Sequence, residues 1–136
     1  MSTTTREAGI QTLHDQVVSL VAQRWARSVQ SKITINTDAE RNRWAGSDRR
    51  YPDILGWKLL SGRNTIDWIA EVETEGSVTE DQARSRWRDY AALGVPFYLF
   101  VPKGWRTTAQ QLAAGSHLKL NGVYEYAFVN GTFQLS

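Results

Sequence analysis

Apolar residues early in the chain recur at Ile10, Leu13, Val17, Leu20, Val21 and Trp25, the spacing of one face of an amphipathic helix, which predicts a helix from Thr4 to about Ser28. Lys32 to Thr37 alternates and is rich in β-branched residues, so it reads as a short strand. A polar loop follows from Asp38 to Arg50, with Gly46, Ser47 and Asp48 as turn formers. Tyr51 to Leu60 then reads as a strand with Pro52 near its start, where a missing amide donor does least harm. After a turn at Ser61 to Asn64 the run from Thr65 alternates. Ile66, Trp68, Ala70 and Val72 are predicted on one face, and Asp67, Ile69, Glu71 and Glu73 on the other.

Thr79 and Gln82 have the spacing of a capping box, and Ala83, Trp87, Tyr90 and Ala91 keep a helical face through Leu93, with Gly94 as the C-cap glycine. The continuous apolar run Phe97 to Val101 predicts a strand buried on both faces and entered from a helix, as parallel strands usually are. Thr107 to Ala114 reads as a short helix, and Val123 to Leu135 as a hairpin turning at Asn130-Gly131. The order predicts an α/β fold with a mixed central sheet flanked by helices. A single domain spans 1–136, with its core at about 4–103 and a C-terminal appendage of helix and hairpin at about 104–136.

Composition narrows the chemistry. Hydrophobic residues are 41% and charged residues 22% of the 136, ordinary values for a globular protein and far from disorder. With no Cys, disulfides, thiolate zinc sites and a Cys nucleophile are excluded, and a reducing interior is the natural setting. The first residues lack the basic start and apolar run of a secretory signal, and no run of about eighteen apolar residues occurs. A cytoplasmic protein without a membrane partner is therefore expected. Net charge is only +2, yet twelve of the sixteen basic residues are Arg, clustered at Arg41, Arg43, Arg49 and Arg50 and again at Arg84, Arg86 and Arg88. The planar guanidinium fork suits phosphate, although a solvated surface would show the same clusters.

Three acids stand out. The period of two places Glu71 and Glu73 on one side of their strand, and a hairpin can bring Asp53 opposite them. Carboxylates gathered this closely repel, so a cation, a bound proton or strong hydration has to compensate. Oxygen-only ligands select a hard ion, Mg²⁺ first, with Mn²⁺ as its substitute. His14 and His117 lie far apart without paired-ligand spacing and read as surface or packing residues. Glu-x-Glu alone is common on solvated strands, so it is the arrangement around it that points to a site.

The segments YPDILGW, IAEVETE, QARSRWRDY and GVPFYLFVP resemble, in order, the PD-(D/E)xK nuclease superfamily, the restriction-endonuclease-like fold, over about Glu7 to Lys103. The resemblance implies an αβββαβ core with a metal site at the strand hairpin. It places the aspartate of the PD motif on Asp53 and the acid of (D/E)xK on Glu71, both as metal ligands. The lysine position falls on Glu73, an ExE variant used by some restriction endonucleases of this fold. There Glu73 either accepts a proton from the attacking water or helps to hold a second ion. Lys58, on the paired strand, is the candidate for a lysine arriving from elsewhere. Glu7 matches an extra acid beside the metal in several members, with complementarity to the helix dipole as the plain alternative. Gln82 and Tyr90 resemble polar helix positions that line such sites.

These observations predict a Mg²⁺-dependent DNA endonuclease with Asp53, Glu71 and Glu73 as catalytic residues and DNA as partner. Arg41, Arg43, Arg49, Arg50, Arg84 and Arg88 would hold phosphates, and Trp44, in the Arg-rich loop, could stack on bases. A homodimer able to cut both strands is compatible with this reading. The alternative is a catalytically inactive module of the same fold that binds DNA or a protein.

Overall fold

The computed structural model describes residues 8–29, 32–36 and 51–136, with side chains of the first helix described over 13–25. Helix α1 spans Ala8–Val29 and strand β1 Lys32–Ile35. Strands β2 (Ile54–Leu60) and β3 (Arg63–Val72) form a hairpin closed at Ser61 and Gly62, both at positive φ (51° and 79°), the two-residue turn that matches strand twist. A helix over 80–91, here α2, follows; it is α-type at Glu80–Gln82 and Arg88–Ala91, with a π-type stretch at Ala83–Trp87 between them. Strand β4 (Phe97–Pro102), helix α3 (Arg106–Gly115), and strands β5 (Gly122–Val129) and β6 (Thr132–Leu135) complete it.

One mixed sheet in the order β1-β2-β3-β4-β5-β6 runs through the domain. β1, β2 and β3 are antiparallel, β3, β4 and β5 are parallel, and β6 turns back on β5. The C-terminal hairpin is thus no appendage. β5 adds to the sheet beside β4, and Tyr126 and Phe133 join the core under α1.

Each face of the sheet is covered. Val17, Val18, Val21 and Ala22 of α1 pack on Ile54, Trp68, Ala70, Val72 and Phe100. On the opposite face Val78, Ala83, Trp87 and Tyr90, with Ala109 of α3, pack on Leu55, Trp57, Ile69, Phe97, Leu99 and Val101. The alternation of β3 holds from Trp68 to Val72 but not at Ile66, which packs with Ile69 and Trp57. The cause is a bulge: Gly56 pairs with Trp68 and Trp57 with Ile66, so Asp67 is the extra residue and the faces flip there. Gly56 belongs to the same irregularity, because a Cβ at this position would run into the Trp68 indole. Gly56→Ala is therefore expected to cost about 1–3 kcal/mol, read as a lowered urea midpoint. An unchanged midpoint would show that the indole has room to move.

Among the described residues no helix is long and apolar enough to cross a membrane.

Candidate functional site

Pro52 and Asp53 precede β2 instead of opening it, and their backbone is held from both sides. The Asn36 amide side chain donates to Pro52 O at 2.7 Å and its backbone N–H to Asp53 O at 2.9 Å. Asp53 N–H donates to Glu71 Oε2 at 2.7 Å, and Val72 N–H donates to Asp53 Oδ2 at 2.7 Å. Where the β2–β3 ladder ends, the two carboxylates thus replace backbone acceptors. The site lies at the carboxyl end of β3, the first of the parallel strands, where open α/β sheets bind their ligands.

Asp53, Glu71 and Glu73 are all buried, at 5%, 2% and 0% exposure, so no solvated strand face accounts for them. They do not share one cluster of oxygens, however. Asp53 reaches α1, where Oδ2 lies 3.1 Å from His14 Nε2. Glu71 turns to α2, its Oε1 accepting from Nε and Nη2 of Arg86, each at 3.2 Å. Glu73 sits deeper under α2: Oε1 accepts from Ser77 Oγ at 2.6 Å and Gln82 Nε2 at 3.3 Å, and Oε2 from Trp87 Nε1 at 2.7 Å. Its backbone oxygen accepts from the Tyr126 hydroxyl at 2.8 Å. Among the described residues no group of three His, Asp or Glu side chains is placed to hold an ion.

Compensation for the gathered carboxylates comes from protein donors. Burial would raise Asp53, but the charge and hydrogen bond of His14, the Val72 N–H and Arg86 outweigh it and hold this carboxyl below its ordinary 3.8. Burial, and next the charge of Asp53, push Glu71 well above its ordinary 4.5, with Arg86 only partly opposing them. Burial also raises Glu73, against the bonds from Ser77 and Trp87. The neighbouring charge of Glu71 lifts Arg86 further still, so the guanidinium stays charged.

The signs oppose one another. Asp53, depressed, contributes stability that is present above its ordinary value and lost as pH falls. Glu71 and Glu73, raised, contribute stability that is fully present below 4.5 and lost as pH rises through their elevated values. Urea midpoints of the metal-free protein are thus expected to decline from the ordinary carboxylate range towards neutral pH. A midpoint that climbs steadily over that interval would contradict raised values for the two glutamates.

The remaining expected residues distribute unevenly. His14, read from sequence as surface or packing, is fully buried and belongs to the site; its ring nitrogens face Asp53 Oδ2 and Asp15 Oδ1, both at 3.1 Å. Lys58 is not brought to the acids, since its ammonium group faces Asp67 at 3.6 Å on the exposed part of the hairpin. Gln82 serves both readings: its N–H donates to Thr79 Oγ1 at 3.3 Å while its amide reaches Glu73. Tyr90 is buried, with its hydroxyl accepting from Arg86 Nη2 at 3.1 Å. Arg84 and Arg88 are exposed, Arg84 lying 3.4 Å from Glu80. Such a surface pair contributes little to stability and leaves the guanidinium available to a phosphate. Glu7, Arg41, Arg43, Trp44, Arg49 and Arg50 lie outside the described residues.

The partners missed from sequence include His14, Asn36, Ser77, the Trp87 indole, the Tyr126 hydroxyl and the inward-facing role of Arg86. The π-type stretch helps to aim consecutive residues Arg86 and Trp87 at Glu71 and Glu73, acids two apart on the strand. The only available signal for Arg86 was its place between two outward arginines on a helix packed against the acidic strand.

Oxygen donors suit a hard cation, and Asp53 Oδ1 is buried with no hydrogen-bond donor among the described residues. Mg²⁺ is commonly held by one or two carboxylates, its other positions filled by water and substrate phosphate, so Asp53 and Glu71 fit it as a pair. Both oxygens of Glu73 are engaged by groups of the interior, and both of Glu71 are engaged as well, Oε2 by Asp53 N–H and Oε1 by the partly exposed Arg86, so Glu71 can serve as a ligand only where Arg86 gives way. Comparisons of this chain with protein-family models, curated proteins and solved structures find no match.

Proposed function

We propose that this chain is a divalent-metal-dependent DNA endonuclease of the restriction-endonuclease-like type, with Asp53 and Glu71 as the metal-holding pair. The observation that carries this reading is the contact between Asp53 and Glu71 across the β2–β3 register, both buried, with Arg86 at hydrogen-bond distance from Glu71. Buried carboxyls with displaced proton affinities, set beside a charged partner, are concentrated at working sites. The element order αβββαβ over 8–102 and the placement at the parallel strand ends support the same reading.

The residues divide the work. Asp53, fixed by Val72 N–H and His14, presents Oδ1 as a ligand, and Glu71 supplies a second carboxylate. Asp53 and Glu71 would together hold a divalent cation, which would supply stabilisation of the charge on the phosphoryl oxygens of a phosphodiester. Arg86 is the positive group of the site, the part that a lysine at residue 73 would have taken. Glu73 anchors the start of α2 to the end of β3 and so positions Arg86. Residues 37–50, which carry the Arg-rich loop, join Asn36 to Tyr51, and both flanking segments are tied to the site through Asn36 and the Tyr51 carbonyl.

The test combines a supercoiled plasmid with a melting curve. Nicking is expected in Mg²⁺ or Mn²⁺ and not in chelator, together with a rise in melting temperature on adding metal, since an ion that binds only the folded protein stabilises it. A metal-insensitive melt and an intact plasmid would leave the non-catalytic module, a reading favoured by the full engagement of Glu73.

A further inference from the structure

We infer that Arg86 is an exchangeable counter-ion: in the metal-free protein it occupies the charge position of the cation beside Glu71, and the cation displaces it towards the phosphate of bound DNA. This rests on the nuclease reading above and specifies how that site is regulated.

Glu71 Oε1 takes two bonds from one guanidinium, so the acid that a cation needs is already neutralised by the chain itself. Arg86 is not sealed in with its partner. Its side chain is 32% exposed against 2% for Glu71, and Nη1 has no bond among the described residues. The guanidinium therefore grips a buried acid through Nε and Nη2 while the side chain as a whole stays partly exposed and within reach of a phosphate. A second resting place is also built in. Nη2 is within 3.1 Å of the Tyr90 hydroxyl, and the guanidinium carbon lies 5.7 Å from the centre of the Tyr90 ring, contacts that do not depend on Glu71. The residue springs from the π-type stretch of α2, a local widening found often at functional sites.

Two positive charges cannot both sit against Glu71 at low cost. A buried acid stripped of its partner is unfavourable, so Arg86 leaves readily only when another cation takes its place. Exchange follows: the cation frees Arg86, and a phosphate that engages Arg86 favours the cation by the same factor. The site would hold its phosphate-binding arginine back until metal is present.

Mn²⁺ affinity of the DNA-free protein, read from melting temperature against Mn²⁺ concentration, tests the exchange without reference to cleavage. Arg86→Gln removes the charge but can still donate to Glu71, and is expected to bind Mn²⁺ about tenfold more tightly than wild type. Arg86→Lys keeps the charge and should stay near wild type. In the unmodified protein, the Arg86 Nε–H resonance should lose its protected position on saturation with Mg²⁺, a readout that needs no variant to fold. With Mn²⁺ present, binding to a phosphorothioate duplex should lose about one unit of salt slope in Arg86→Gln, and no slope should be lost without metal. If wild type binds Mn²⁺ but Arg86→Gln binds no more tightly, or Arg86→Lys tightens equally, or the Arg86 resonance does not move, the exchange is overturned while the nuclease reading stands. If wild type shows no response to Mn²⁺ at all, the metal site itself falls, and the exchange with it.

Discussion

Glu73→Lys is expected to leave the chain unfolded, not to restore the commoner nuclease motif. Glu73 is fully buried, and the groups that face it are donors: Trp87 Nε1, Ser77 Oγ and Gln82 Nε2. An ammonium group there would offer donors to donors at a position closed to bulk solvent. Breaking a buried charged arrangement by removing one side of it costs about 3–5 kcal/mol, and placing the opposite charge adds to that. A domain of this size has only about 5–15 kcal/mol in total, so most of the folded population would be lost. Far-ultraviolet circular dichroism and the yield of monodisperse protein report the outcome. Trp87→Phe provides the graded control, since it leaves one Glu73 oxygen unpartnered, a loss of about 1–3 kcal/mol with the fold retained. A Glu73→Lys protein that melts like wild type and cuts faster would mean that residue 73 is a catalytic position after all.

Asp53→Ala and Glu71→Ala should each reduce metal-dependent plasmid nicking by on the order of a thousandfold, the upper range for losing one preorganised electrostatic group at a reacting centre. Their structural consequences differ. Without Asp53, His14 Nε2 and Val72 N–H lose their shared acceptor, about 1–3 kcal/mol for groups left unsatisfied in the interior. Without Glu71, Arg86 can turn to Tyr90 and solvent, but Asp53 N–H is left without a partner. Assays must therefore be run well below each variant's melting temperature. Asp53→Asn is the companion variant, since it keeps an acceptor for Val72 while removing the charge. Equal nicking by wild type and all three variants would assign the activity to something other than this site.

The acids and their neighbours had unequal visibility in the sequence. Asp53 and Glu71 were legible only as acids on facing strands of a hairpin: counted in strict register from the Ser61-Gly62 turn Asp53 falls opposite Ala70, and it is the extra residue Asp67 that shifts it opposite Glu71. Glu73 was legible as a neighbour of Glu71 but not in its partners, which come from a helix and a turn that lie beyond the strand. Lys58 was drawn to the site by pairing alone, yet it lies towards the hairpin tip beyond the Gly56 irregularity and pairs with Asp67 instead. His14 shows the hardest case. It is thirty-nine residues from Asp53, on a helix whose rotation over the sheet is set by packing of Val17, Val18 and Val21 and not by any local pattern.

The C-terminal segment shows the same division. Its helix, hairpin and Asn130-Gly131 turn could be read directly, with Asn130 and Gly131 both at positive φ (51° and 77°) as a two-residue turn requires. Its attachment could not, because whether β5 extends the main sheet depends on which edge of β4 is open, a property of the assembled sheet.

What the sequence by itself determined is therefore local: helix and strand periods, caps and turns, and a hairpin able to set two acids opposite each other. Only the tertiary structure decided how their charge is balanced. His14 arrives from α1 and Arg86 and Trp87 from α2, and burial makes those partners obligatory, since a carboxylate removed from water must find donors from whatever side chains the fold brings within reach. Backbone pattern is written in neighbours along the chain, whereas compensation of buried charge is written in neighbours in space.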